Sequence, residues 1–163
     1  MKFLSQSQCV SWAKEIGWPL AEDLLPMEPA ELTKVAFRIP EDAGRRVALA
    51  KILLEPIISN GPCLMWITTW GIWPSGEHSP LFYQMRSAFG EHRSLQDIPG
   101  QLFDVQDRDA ALSHWILATL FLWDCHVLSV DGQRHAFVSH DEWGYFSSTA
   151  KDELAAIGQL VTT

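Results

Sequence analysis

The segment 63–70, CLMWITTW, limits the fold more than any other part of the chain. It is rich in β-branched and aromatic residues and carries no charge, its polar members being Thr68 and Thr69. A strand of that composition belongs at the centre of a sheet with apolar cover on both faces. Helices from elsewhere in the chain have to provide that cover.

The flanking sequence supplies them. Residues 5–17 read as an amphipathic helix stopped by Gly17, with Trp18-Pro19 beyond it. The stretch 18–34, with Pro19, Pro26 and Pro29, reads as loop, and 35–39 as a short strand. Pro40-Glu41-Asp42 opens a helix that aligns Val47, Ala50, Leu54 and Ile57 and stops near Asn60-Gly61-Pro62. Ser79-Pro80 opens another, with Leu81, Met85 and Ala88 or Phe89 on its inner side and Gly90 at its end. Ile98-Pro99-Gly100 is a turn leading into a strand at 101–105. The helix that starts at Asp107 and Asp109 carries ALSHWILATLFLW, apolar nearly all round, so it is expected in the core or at a contact between two copies of the chain. Strands at 125–130 and 134–139 flank Asp131-Gly132 as a hairpin, and helices are expected near 141–147 and 149–160. Alternation of this kind predicts one α/β or α+β domain over residues 1–163. Its mixed sheet has about five strands, partly parallel through right-handed crossovers and packed by helices, with a β-hairpin towards the C-terminus.

Composition narrows the partners. Twelve Lys and Arg stand against twenty Asp and Glu, a net charge of −8. The basic residues are scattered except for Arg45-Arg46, which argues against nucleic acid and anionic membranes and is compatible with a basic protein partner. The longest apolar run, 115–123, is about half of what a membrane span needs. Cys9, Cys63 and Cys125 are odd in number and far apart, as buried free thiols in a reducing compartment are. The first residues contain no continuous apolar stretch of signal-peptide type, so a cytoplasmic location is expected.

The sequence contains no dinucleotide or P-loop glycine pattern, no nucleophile elbow, no zinc-protease helix and no calcium loop, so no cofactor and no metal site are assigned. Ser139-His140-Asp141-Glu142 offers an imidazole and two carboxylates at a strand end. Its S-x-x-E spacing is also that of a helix capping box, the preferred reading. Cys125 and His126 are neighbours on a strand and point to opposite faces, so they do not form a nucleophile–base pair. A two-residue turn at Asp131-Gly132 pairs Leu128 with His135 and His126 with Phe137, which makes His126 and His135 diagonal neighbours about 7–8 Å apart. Two imidazoles at that distance suit a metal only with a third ligand, which the sequence does not point to. His114, in the apolar helix, reads as a core histidine bonded to a nearby backbone or side-chain group.

The most distinctive stretch is WITTWGIWPSGEH, 66–78. Trp66 and Trp70 are expected on one face of the strand, and Trp73 in a loop. There Trp73 either plugs the end of the core or, with Glu77 and His78 beside it, anchors a partner or stacks on a ligand. The candidate site is therefore Trp70, Trp73, Glu77 and His78, with His140 and Asp141.

The segments WGIWPSGEHSPLFYQMRSAFGE (70–91), PGQLF (99–103) and FVSHDEW (137–143) resemble an uncharacterised family of small bacterial proteins. Its members combine a Trp-Gly-x-Trp-x-Ser-x-Glu stretch, a Tyr-x-x-Arg helix, a Pro-Gly-His-Leu-Phe turn and a Ser-His-Asp-Glu end; Gln101 stands here in place of the histidine. The resemblance spans 62–147 and implies a bacterial origin and a shared fold, without an activity. Two functions are expected. The first is a non-enzymatic cytoplasmic interaction or regulatory protein of inhibitor or immunity type, able to pair as a homodimer through 110–123. The second is a small-molecule-binding protein or enzyme with its site near the loop after 63–70.

Overall fold

A computed structural model of the chain describes residues 1–70 and 79–161. The apolar segment forms β3 (Cys63–Thr69), whose first five residues are fully buried. It lies between β4 (Gly100–Phe103) and β5 (Asp124–Ser129). Beyond β4 is β1 (Lys2–Leu4); beyond β5 come β6 (Arg134–Val138), β7 (Trp143–Ser148) and β2 (Thr33–Arg38). The order is β1-β4-β3-β5-β6-β7-β2, with every neighbouring pair antiparallel. The fold is thus α+β, with seven strands where about five were expected, and five helices among the described residues.

The expected parallel pairs do not form, for a specific reason. The crossovers through α2 (Ala43–Ile58) and α4 (Arg108–Leu120) do join strands of like direction, β2 to β3 and β4 to β5. Antiparallel strands are inserted between them, however: β3 itself fills the space between β4 and β5. Alternating elements fix direction, and adjacency is decided by strands that arrive from elsewhere.

The expected helix at 141–147 is also overturned, because those residues enter β7. Ser139 and Glu142 have capping-box spacing but close a hairpin turn. The Glu142 N–H donates to the Ser139 carbonyl at 3.2 Å, and the Ser139 N–H donates to the Trp143 carbonyl at 2.8 Å. Glu142 sits at φ 61°, a left-handed conformation that turns the chain back instead of opening a helix. Behind it Trp143, Tyr145 and Ser147 alternate with Gly144, Phe146 and Ser148, the period of a strand.

The first helix, α1 (Gln6–Glu15), has a true capping box between Ser5 and Gln8, and Gly17 at φ 73° ends the turn that follows it. In α2, Asp42 is the N-cap, and Leu49, Ala50, Leu53, Leu54, Ile57 and Ile58 face inward while Val47 is exposed. Helix α3 (Ser79–Ala88) starts where expected, but it is rotated by one position. Its inner side is Phe82 and Arg86, leaving Leu81 and Phe89 exposed and Met85 only half-buried. Either set fits a helical stripe; burying the Phe82 ring decides between them.

One side of the sheet, with Met65, Ile67, Val127, Ala136, Val138 and Phe146, packs beneath α2, α4 and α5 (Lys151–Val161). The apolar sides of α4 are taken up in this core, which accounts for its composition within a single chain. The other side is covered over Leu64, Trp66 and Leu128 by Cys9 and Ala13 of α1 and by Trp18. Towards β7 and β2 this cover thins, and Ala36, Arg38 and Trp143 are exposed. A bulge between Ile67 and Thr69 shifts the phase of β3. As a result Trp66 packs on the α1 side and Trp70 on the opposite side, against the helix-covered core, so the two do not share a face.

Candidate functional site

The thinly covered side of β5, β6 and β7 carries a run of rings that begins in the core and ends at the surface. The hairpin has the register expected of it: Leu128 opposite His135 and His126 opposite Phe137. His126 and His135 meet, with His126 Nδ1 3.0 Å from His135 Nε2 and the ring planes 14° from parallel. One must donate and the other accept, so the pair is a hydrogen bond between neutral imidazoles. Burial holds His126 down to about 3, opposed only by the charge of Asp124. Burial also holds His135 well below the ordinary value, and His126 adds to the effect.

Other aromatic rings frame the pair. Trp18 and Tyr145 stand edge-on to His135 at 5.2 and 5.1 Å, and Phe137 lies 4.5 Å from His126. Phe137 in turn touches Trp143 and Tyr145, each at 5.4 Å. Trp143 ends the series with 40% of its surface exposed. Lys34 lies over the Tyr145 ring at 5.3 Å and is tied by Glu28 at 2.7 Å. Gly144 lets these strands close up: a Cβ there would come within 2.5 Å of the Phe137 carbonyl and 2.9 Å of the Phe37 ring.

At the end of the face, Asp124 reaches into the β6–β7 turn. Its carboxylate accepts the His140 N–H at 2.8 Å and faces His140 Nδ1 at 2.8 and 2.9 Å. The other ring nitrogen lies 3.5 Å from Asp141 Oδ1. Both nitrogens therefore face carboxylates, an arrangement that orients the ring. Among the described residues no hydroxyl or thiol bonds to His140, and the Ser139 Oγ accepts the Asp141 N–H at 3.3 Å. The two histidines meet through one nitrogen each, His135 Nδ1 is buried with no hydrogen-bond partner among the described residues, and those residues contain no group of three or more metal-ligating side chains. All three thiols are free and buried: burial pushes Cys9 and Cys63 up to about 12 and Cys125 well above its ordinary value, so none is a ready nucleophile.

Of the residues singled out in the sequence, His140 and Asp141 come together at this rim, joined by Asp124. Trp70 follows Thr69, the partner of Asp124, and so lies at the same end of the sheet but on its other side. Trp73, Glu77 and His78 lie outside the described residues. Reading the sequence missed Asp124, Phe137, Trp143 and Tyr145. The hairpin register carried a signal for the first, since it places Ser139 opposite Asp124 and His140 one step beyond. Comparison with protein-family models, curated proteins and solved structures found no match.

Proposed function

We propose that this chain is a non-enzymatic interaction protein of the bacterial cytoplasm, of inhibitor or immunity type, that binds another protein through the aromatic face of β6, β7 and β2. The observation that carries the reading is Trp143, 40% exposed on an open sheet face and backed by Phe137 and Tyr145. Rigid, supported aromatic side chains of this kind dominate binding energy at protein interfaces. Asp141 and Glu142 at the rim and the net charge of −8 favour a partner with a basic patch, flanked by acidic groups that meet Lys34 and Arg38 on the same face. Buried free thiols accord with a reducing compartment. Light scattering on the purified chain separates a monomeric binder from a homodimer.

The test is quantitative affinity capture from the native cell with three baits: wild type, Trp143→Ala and Leu81→Ala, the last on exposed α3 surface. A specific partner should be retained by wild type and Leu81→Ala and lost by Trp143→Ala. Equal recovery by all three removes the face from the interface.

The Asp124–His140 pair favours a second reading, a small-molecule-binding protein or enzyme acting at this end of the sheet near the loop after β3. A carboxylate-oriented imidazole is a common general base. Asp124→Asn would then abolish turnover or ligand binding, whereas on the first reading it leaves partner recovery largely intact.

A further inference from the structure

Three polar side chains are fully buried far from the aromatic face, beneath α3 and α4: Arg86, Gln101 and His114. Phe3 connects them. It pairs with Gln101 in the β1–β4 register, and its ring lies 5.4 Å from the Arg86 guanidinium and 6.4 Å from the His114 ring. Arg86 Nη2 donates to the Ile98 carbonyl at 2.9 Å, two residues ahead of β4. Phe82, Phe89 and Phe103 surround His114 at 5.7, 5.5 and 5.4 Å. Phe89 is itself 47% exposed, which puts His114 one ring beneath the surface.

The polar atoms of this cluster are largely unmet. Among the described residues, Arg86 Nε and Nη1, both ends of the Gln101 amide and His114 Nε2 have no hydrogen-bond partner. Native interiors rarely leave so many groups unsatisfied together, and a buried cation calls for an anion. Among the described residues the carboxylate whose charge acts on Arg86 is Glu91, which is held in a two-point bond by Arg93, at 2.9 and 2.6 Å, and reaches Arg86 only through its field. The rings of Phe3 and Tyr83 offset part of the deficit.

His114 specifies the missing partner more narrowly. Its Nδ1 lies 2.8 Å from the Ala110 carbonyl, which can only accept, so the proton is on Nδ1. Burial, helped by the charge of Arg86, holds the ring down to about 4, so at neutral pH Nε2 presents a bare lone pair and needs a donor. Arg86 offers only donors and needs a negatively charged acceptor, while Gln101 satisfies either kind. The group that complements all three is a small anion that also carries an O–H.

We propose that Arg86, Gln101 and His114 form a binding site for a small hydroxylated oxyanion, a hydroxycarboxylate or hydrogen phosphate. Its charged oxygen is held by Arg86 and its O–H donates to His114 Nε2. Nothing in the proposed protein interface requires this site, and it stands or falls separately.

The test is calorimetric titration of the purified chain at neutral pH with four probes: glycolate and inorganic phosphate, which carry an O–H, and acetate and sulfate, which do not. Glycolate, phosphate or both should bind saturably and about 10-fold more tightly than the probe lacking the hydroxyl, the worth of one buried hydrogen bond; the better binder identifies the class. Arg86→Gln should abolish binding, and His114→Phe should erase the preference for the hydroxyl. Because either variant could unfold, the ¹⁵N resonance of His114 Nε2 in the wild type is followed as well, and it should shift as its lone pair accepts a hydrogen bond. Absence of saturable binding to the wild type overturns the proposal. So does equal affinity for all four anions, or binding that leaves the Nε2 resonance in place.

Discussion

Mild acid should unfold this protein, and three buried histidines set the pH at which it does so. Burial holds His114 at about 4, His126 at about 3 and His135 well below the ordinary value of 6.5. In the unfolded chain each returns to that ordinary value. The folded pKa is the lower one, so the stability these groups confer is complete above pH 6.5. It falls as the pH drops from 6.5 towards 4, because only the unfolded chain takes up protons in that window. Each histidine costs about 1.4 kcal/mol per pH unit there, so three together remove about 4 kcal/mol by pH 5.5 and about 6 kcal/mol by pH 5.0. A domain of this size has about 5–15 kcal/mol in total, so the transition should fall near pH 5. The lowered carboxylates, Glu91 at about 2 with Glu55 and Asp107, lose their contribution only below the ordinary carboxylate value of about 4.3 and occupy a separate window. Urea unfolding followed by tryptophan fluorescence across this pH range measures the slope directly. His114→Phe, if it folds, should reduce that slope by about one third. Stability that changes by less than about 1 kcal/mol between pH 7.5 and 5.5 would refute the reasoning, since a single imidazole held neutral in the folded state contributes about 1.4 kcal/mol over that window and none of the three could then be so held.

Three further outcomes follow from single contacts. Gly100→Ala should cost about 1–3 kcal/mol, because the new Cβ would lie 2.2 Å from Cys9 Sγ; Cys9→Ala should recover much of the loss in a double-mutant cycle of denaturation midpoints. Glu142→Gly should stabilise the chain by about 0.5–1 kcal/mol in the same assay, since the residue at φ 61° would no longer hold a Cβ in the left-handed region. Asp124→Asn should cost about 1–2 kcal/mol and raise amide exchange at His140, whose N–H now donates to that carboxylate.

Where the sequence carried its information locally, the structure could be read from it. The start of α1 near Ser5, the stop at Gly17, the start of α3 at Ser79 and the register of the β5–β6 hairpin all depend on residues a few positions apart. That register brings His126 against His135. The misreadings have the opposite character. Ser139 and Glu142 satisfy the spacing of a helix cap and of a hairpin turn equally well, and only the partnership of β7 with β6 and β2 decides between them. The bulge that separates Trp66 from Trp70 adds a residue to β3 without any glycine or proline to announce it. The buried side of α3 was ambiguous by one position, so Leu81 and Met85 were expected inside where Phe82 and Arg86 are buried. The Asp124–His140 contact was within reach of the hairpin register, had the ladder been followed one step past Val138.

The placing of β1 and β2 at the two margins of the sheet has a consequence for how the chain is made. Among the described residues the neighbour of β2 is β7, which pairs Ser148 with Thr33 and Trp143 with Arg38, so β2 is synthesised roughly 110 residues ahead of its partner. At roughly 5–20 residues per second, β2 waits on the order of 5–20 s for its partner. During that interval an extended segment containing Val35 and Phe37 is open to any other nascent chain. Lys34 and Arg38, which flank those two residues, place positive charge where a second copy would have to stack. The same two side chains that border the aromatic face of the finished protein would thus guard the unfinished one.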